Sequence, residues 1–393
     1  MIERTIKQEL LRLSGFFPAV TILGPRQSGK TTLARNCFPG HNYVNLDDQA
    51  DRQLALDDPK AFFKLYPPPV IIDEVQRVPQ LLNAVQLLAD DLKQNELFIL
   101  TGSHQPELHA GITQSLAGRT AILKLLPLSI EELTRAGITQ ERDEYILNGF
   151  LPRLHDRNIP PDVIYRSYYN TYVERDVRQL INLSNQHAFE VFVKLLAGRV
   201  GQIVSLNSMA GDVGVSSTTL NSWLSVLEAS YIVFRLPCYF ENFGKRQIKS
   251  SKVYFTEVGL AAYLLGIENS AQVARDPLLG GLFENMVVME ALKARCNRGK
   301  EPELYYFRDK RGMEVDLILN KGRRLLPIEI KSAMTYDLAF AKNLRQFSGI
   351  SGNVFSPSVI YAGDMEATVQ EITFVNFRNT AALLDSPVPK KVE

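Results

Sequence analysis

The chain has 393 residues, with 44 Lys and Arg against 43 Asp and Glu and a formal net charge of +1. That length accommodates two or three domains with their own cores, and the near-zero charge excludes a global electrostatic footprint for nucleic acid, leaving only local patches. The three cysteines, Cys37, Cys238 and Cys296, lie far apart without C-x-x-C spacing, which argues against a zinc site or a disulfide framework.

No apolar run approaches ~18 residues, and Met1-Ile2-Glu3-Arg4-Thr5 lacks a signal-peptide pattern. A soluble, cytoplasmic protein with no membrane partner is expected. The first element is the apolar strand Ala19-Val20-Thr21-Ile22-Leu23. It runs into Gly24-Pro25-Arg26-Gln27-Ser28-Gly29-Lys30-Thr31, a complete G-x-x-x-x-G-K-[ST] phosphate loop, and then into a helix-forming run from Thr31 to Asn36. Glycine at positions 24 and 29 allows the sharp turn that aims backbone NH groups at phosphates. Lys30 is placed to reach the β and γ phosphates and Thr31 to offer its hydroxyl to Mg²⁺; Thr32 completes the nucleotide-contacting set that begins at Gly24. ATP and Mg²⁺ are the expected ligands.

Tyr43-Val44-Asn45-Leu46 reads as a second strand, with Asp47 and Asp48 at its tip more suited to capping the next helix than to the site. Pro69-Val70-Ile71-Ile72-Asp73-Glu74 is a continuously apolar run ending in two carboxylates, the pattern of a buried parallel strand whose tip faces a ligand crevice. Asp73 is the expected Mg²⁺ partner and Glu74 the residue that polarises the attacking water. A third apolar strand, Leu97 to Leu100, leads to Thr101-Gly102-Ser103-His104-Gln105, where Ser103 is the favoured γ-phosphate sensor and His104 the alternative. Arg119, just before another apolar strand, could act in its own subunit or as a finger into a neighbour's site, which would imply a homo-oligomer; a salt-bridged surface arginine is the plain alternative. Residues 1–155 thus alternate strands and helices, as in an α/β parallel sheet wrapped by helices.

Residues 156–260 change character. A helical connector from Asp162 to Leu183 has Ile164, Tyr168 and Tyr172 on one face and Arg166, Glu174, Arg175, Asp176 and Arg178 on the other. Three helices then follow, Phe189 to Val200, Ser205 to Val213 and Ser216 to Ser230, with strands Ile232 to Leu236 and Lys252 to Phe255, the order of a winged helix. The tip Phe243-Gly244-Lys245-Arg246-Gln247-Ile248-Lys249 is basic with an aromatic, as a DNA-contacting wing would be, whereas the third helix exposes polar but uncharged residues.

In residues 261–393, a helix from near Gly281 carries Glu284. The strands Glu303 to Phe307, Met313 to Leu319 and Leu326 to Lys331 follow, with Asp316 in the second and Glu329-Ile330-Lys331 in the third. An acid on a helix, an acid on one strand and E-x-K on the next is the arrangement of a PD-(D/E)xK nuclease core. There Glu284, Asp316 and Glu329 would hold a metal ion that acidifies water, and Lys331 would position that water or neutralise the phosphate. Period-two alternation places Glu329 and Lys331 on one face of their strand, and Glu314 and Asp316 on one face of theirs.

Together the Gly24 to Thr31 loop, Val70 to Glu74, Thr101-Gly102-Ser103, Leu116-Ala117-Gly118-Arg119, Tyr172 to Asp176, Phe283-Glu284-Asn285, Glu314-Val315-Asp316 and Glu329-Ile330-Lys331 resemble a family of prokaryotic AAA-type ATPases with an uncharacterised C-terminal domain bearing restriction-endonuclease-like motifs. The resemblance implies nucleotide contact by Gly29, Lys30, Thr31 and Asp73 and hydrolysis through Glu74. The expected function is an ATPase that couples nucleotide state to nucleic-acid engagement, with a metal-dependent nuclease domain. Its alternative is a slow ATPase switch whose C-terminal domain binds a protein or nucleic-acid partner without cutting it.

Overall fold

The computed structural model describes residues 2–103, 112, 115–157, 159–177, 185–239 and 250–388, with the backbone alone given for 174–177. His104 and Gln105, the basic tip Phe243 to Lys249, and the Glu174, Arg175, Asp176 and Arg178 side chains lie outside the described set.

Five parallel strands form the N-terminal sheet: β1 (Ala19–Leu23), β2 (Asn42–Asn45), β3 (Val70–Asp73), β4 (Phe98–Gly102) and β5 (Thr120–Lys124), in the order β2-β3-β4-β1-β5. Strands β1, β3 and β4 are buried along their whole length, which is why they read as unbroken apolar runs. One face packs against Ile6 and Leu10 of the N-terminal segment and Leu33 and Ala34, the other against Leu81, Leu82 and Val85. The helices at the first face are α1 (Lys7–Ser14) and α2 (Lys30–Cys37). Because β4 lies between β1 and β3, the loop after β1, the carboxylate ending β3 and the tip of β4 meet at one edge of the sheet. Asp48 caps the helix after β2 by accepting from the backbone NH groups of Ala50 and Asp51.

The connector is α-helical over Pro161–Tyr168 and widens to a π-helix over Tyr169–Val177 rather than continuing as one α-helix. Ile164, Tyr168 and Tyr172 are all buried, as their spacing predicts, and Tyr165 and Tyr169 are buried beside them. Crowding of these large rings on consecutive turns accompanies the widening.

Helices α3 (Gln186–Ala197), α4 (Leu206–Val213) and α5 (Ser217–Ala229) follow, with an antiparallel pair β6 (Val233–Leu236) and β7 (Lys252–Phe255). Ser205 and Ser216 cap α4 and α5, and Gly214 ends α4 in the left-handed conformation. The long helix α6 (Leu279–Cys296) then packs on a six-stranded mixed sheet of β8 (Leu304–Arg308), β9 (Glu314–Lys321), β10 (Arg324–Lys331), β11 (Ser358–Tyr361), β12 (Ala367–Val369) and β13 (Ile372–Asn376), ordered β12-β13-β11-β10-β9-β8. One apolar cluster runs from Leu126 through Trp223, Phe255 and Phe283 to Leu384, so the central helices and the C-terminal sheet share a core. Among the described residues no helix is long and apolar enough to cross a membrane.

Candidate active site

At Gly24 a Cβ would lie 2.1 Å from the Leu125 carbonyl oxygen, so the turn leaving β1 admits only glycine. Gly29 has φ +91° and stands as the N-cap of α2, aiming the first NH groups of that helix out of the loop. Lys30 is buried, and its ammonium donates to the carbonyls of Gly24 (3.1 Å) and Pro25 (2.8 Å). Burial lowers its pKa, with Glu74 and Asp73 pulling the other way. Arg26 lies over the Tyr172 ring, 5.7 Å from its centroid, which brings the connector against the loop. The Ser28 hydroxyl closes the turn by donating to the Pro25 carbonyl at 3.0 Å.

Asp73 is buried at the tip of β3 and accepts from the hydroxyls of Thr31 (2.8 Å), Tyr43 (3.0 Å) and Thr101. Burial, and then the Asp73 charge, push the Tyr43 phenol up to about 12, so it stays a donor. A carboxylate and a hydroxyl side by side at a phosphate loop are oxygen ligands of the kind that suit a hard divalent cation, and the residues present fit Mg²⁺·ATP. Glu74 leaves the strand in the left-handed region, φ 56°. The buried Gln76 amide donates to Glu74 and, at 3.0 Å, to the Ser103 hydroxyl. The three positions expected to bind phosphate, metal and water thus converge with Ser103 at one strand edge. Beside Gly29 and Thr32 a cavity of about 290 Å³ is lined by Arg4, Leu33, Asn36 and Leu128.

Arg119 is not brought to this edge. Its guanidinium grips Asp90 with two hydrogen bonds, 2.6 and 2.9 Å, at the surface. Its carbonyl accepts from Ala19 NH at the opposite end of β1, about 15 Å of strand away from the loop. Arg119 thus lies at the end of the sheet opposite its own phosphate loop.

The C-terminal set does come together, with two lysine ammonium groups among its acids. The Ile330 NH donates to Asp316 at 2.8 Å, and the Lys331 ammonium bridges Asp316 (3.3 Å) and Glu329 (2.5 Å). From β7, the buried Lys252 ammonium reaches Glu284 (2.8 Å), Glu314 (2.6 Å) and Asp316 (3.9 Å), while the Tyr254 hydroxyl donates to Glu284 at 2.6 Å. Among the described residues no group of three or more His, Cys, Asp and Glu is placed to hold a metal ion. The expected metal set, Glu284, Asp316 and Glu329, thus converges with two ammonium groups standing among the acids. Burial, then repulsion from Asp316, raises Glu284 to about 7 and Glu329 to about 8. Burial opposes ionisation of Asp316 too, yet Lys331 and Lys252 hold its pKa below the ordinary value.

Residues 17–134 match a family described as an AAA domain, and residues 139–271 and 279–379 match two domains of unknown function, DUF8612 and DUF4143. The uncharacterized proteins Mb2031c of Mycobacterium bovis and Rv2008c of Mycobacterium tuberculosis are each 32% identical to the chain over 327 residues, 81% of this chain and 71% of the relative. The chain belongs to their family, one of AAA-type P-loop ATPases. Solved structures with a weaker likeness include the Walker-type ATPase PABY2304 of Pyrococcus abyssi (15% identity, 66% of this chain and 94% of that one, TM-score 0.44) and AMPPCP-bound DnaA of Aquifex aeolicus (16%, 57% and 85%, TM-score 0.29).

In this AAA-type ATPase three residues that motif reading passed over shape the sites. Arg4 is buried and donates to the Ser28 carbonyl (2.7 Å), the Leu126 carbonyl (2.7 Å) and Glu132 (3.1 Å), stapling the phosphate loop to the segment beyond β5. Gln76 links Glu74 to Ser103, and Lys252 closes the C-terminal acids. The only sequence signal near Arg4's partners is Ser129-x-x-Glu132, which forms a capping box. For Gln76 and Lys252 there is none.

Proposed function

We propose that this protein hydrolyses Mg²⁺·ATP as a slow conformational switch, and that its C-terminal acid cluster serves a partner-engaging module rather than a strand-cutting one. The observation that carries the first part is the 2.8 Å contact of Thr31 with Asp73 beside Lys30 and Glu74. When bound, Mg²⁺ supplies charge neutralisation at the phosphates, with Thr31 and Asp73 as its protein partners. The residues 24–29 turn and the start of α2 bind the phosphates through backbone NH groups, Lys30 leaves the Gly24 and Pro25 carbonyls for the terminal phosphates, and Glu74 accepts a proton from the attacking water.

A route from loop to C-terminal module supports the switch. Arg4 joins the loop to Leu126. Two residues on, the Leu128 carbonyl accepts from Lys293 (2.8 Å) and Ile130 NH donates to Glu290 (2.8 Å), both on α6, the helix that also carries Glu284. The three helices and hairpin of residues 186–255 are consistent with a winged helix. The exposed Thr218, Asn221 and Ser222 of α5 suit phosphate contact more than base reading. Homo-oligomers are part of this reading only if Arg119 acts in a neighbour's site.

Phosphate release by wild type, Lys30→Ala and Glu74→Gln tests the ATPase; equal rates in all three count against it. The nuclease reading keeps one observation in its favour, the convergence of Glu284, Asp316, Glu329 and Lys331. Plasmid incubated with wild type and Mg²⁺ or Mn²⁺ decides, and cleavage that disappears in Asp316→Ala would restore that reading.

A further inference from the structure

Strand β3 ends at Asp73, Glu74 turns left-handed, and Gln76 lies in the following single helical turn, Val75–Arg77. The Gln76 side chain is only 6% exposed, and its Nε2 donates to both the Glu74 carboxylate and the Ser103 hydroxyl, while its Oε1 has no hydrogen-bond partner among the described residues. An ionised carboxylate can only accept, so the amide must present its NH₂ to Glu74. That orientation leaves the buried carbonyl end of the amide without a partner among the described residues, a cost set against the two hydrogen bonds its NH₂ makes to Glu74 and Ser103. Ser103 comes from the tip of β4, the strand between β1 and β3. One amide therefore ties the acid after one strand to the hydroxyl after the next.

We propose that Gln76 is a positioning residue for hydrolysis, holding the Glu74 carboxylate in register with Ser103. The proposal rests on the reading of Glu74 as the base. Gln76 makes no bond to the reacting atoms; it fixes where the proton acceptor stands. Losing it leaves nucleotide binding intact and lets Glu74 swing out of line.

The test uses the full chain with Gln76→Ala, Gln76→Glu, Glu74→Gln and the Gln76→Ala/Glu74→Gln double variant. The readouts are phosphate release, titration with a fluorescent ATP analogue and thermal melting. For Gln76→Ala kcat falls about 10²-fold, the scale of a 1 Å misplacement, while analogue affinity stays within about twofold. The double variant is no slower than Glu74→Gln, because the glutamine acts only through the acid. Gln76→Glu keeps the side chain's size but sets a second carboxylate against Glu74 instead of a donor, so kcat falls as in Gln76→Ala while analogue affinity and Tm stay near wild type, a split that a packing role does not produce. Unchanged or raised kcat in Gln76→Ala beside an inactive Glu74→Gln overturns the proposal alone. A fully active Glu74→Gln overturns the reading of the base, and the proposal with it. If Gln76→Ala melts below assay temperature, kcat and analogue affinity of the same-sized Gln76→Glu decide.

Discussion

The Lys252 ammonium lies 2.8 Å from the Glu284 carboxylate, joining a strand of the central hairpin to the long C-terminal helix. It also contacts Glu314 and Asp316 and lies 5.7 Å from the centroid of the Tyr306 ring, so one cation organises acids from a helix and a strand.

Removing that cation strands buried negative charge. Lys252→Met is expected to destabilise the protein by about 3–5 kcal/mol, the range for breaking a buried pair from one side. Urea denaturation measures it, and Lys252→Met/Glu284→Gln should recover part of the loss. An unchanged midpoint for the single variant would mean that the acids discharge by taking up protons.

Gly24→Ala places a methyl group where the Leu125 carbonyl oxygen already stands. The loop must shift, and interiors do not absorb such overlaps freely. Affinity for a fluorescent ATP analogue should fall by about tenfold or more, with the far-UV spectrum retained. Wild-type affinity would show that the turn can move without disturbing its NH groups.

Arg4→Met removes the tie between Ser28, Leu126 and Glu132 and leaves Glu132 fully buried with, among the described residues, backbone donors from Thr5 and Ser129 alone. A loss of roughly 3 kcal/mol is expected, together with weaker nucleotide binding. Thermal unfolding with and without the ATP analogue separates the two: the ligand-induced rise in Tm should shrink as well as the baseline Tm falling.

Glu329 sets a pH dependence. Its pKa rises from 4.5 to about 8 through burial, then the Asp316 charge, with Lys331 opposing. Between those values the native state holds a proton that the unfolded chain has released, so stability is full below about 4.5 and declines as pH rises towards about 8. Asp316, shifted down, acts in the opposite sense and only in more acidic solution. Urea midpoints measured at several pH values across that window should slope downward in wild type and less steeply in Glu329→Gln, the remaining slope coming from Glu284, raised to about 7; identical slopes would assign the proton elsewhere.

Arg119→Ala should leave the fold of one chain nearly unchanged, since its partner Asp90 is exposed. If copies of the chain complete each other's sites, turnover falls and no longer rises with protein concentration, while analogue binding persists. Turnover equal to wild type would leave Arg119 as a surface ion pair.

The phosphate loop, the buried parallel strands and the acids after β3 were legible in the amino-acid order because each depends on neighbours along the chain. Glycine is needed where the backbone turns, apolar runs where a strand is covered on both faces, and Ser205 or Ser216 where a helix begins. Period-two alternation likewise placed Glu329 and Lys331 on one face. What occupies the space beside them was a separate matter. Arg4, Gln76 and Lys252 are ordinary residues in ordinary surroundings until the strand order brings β4 between β1 and β3 and folds β7 against α6. Arg119 shows the converse: its motif marked a candidate, and only the direction of β5 decided that it lies at the far end of the sheet from its own loop. Local backbone chemistry can be read in sequence, whereas the charge balance of a buried cluster depends on side chains that distant segments deliver, and tertiary packing alone determines which ones arrive.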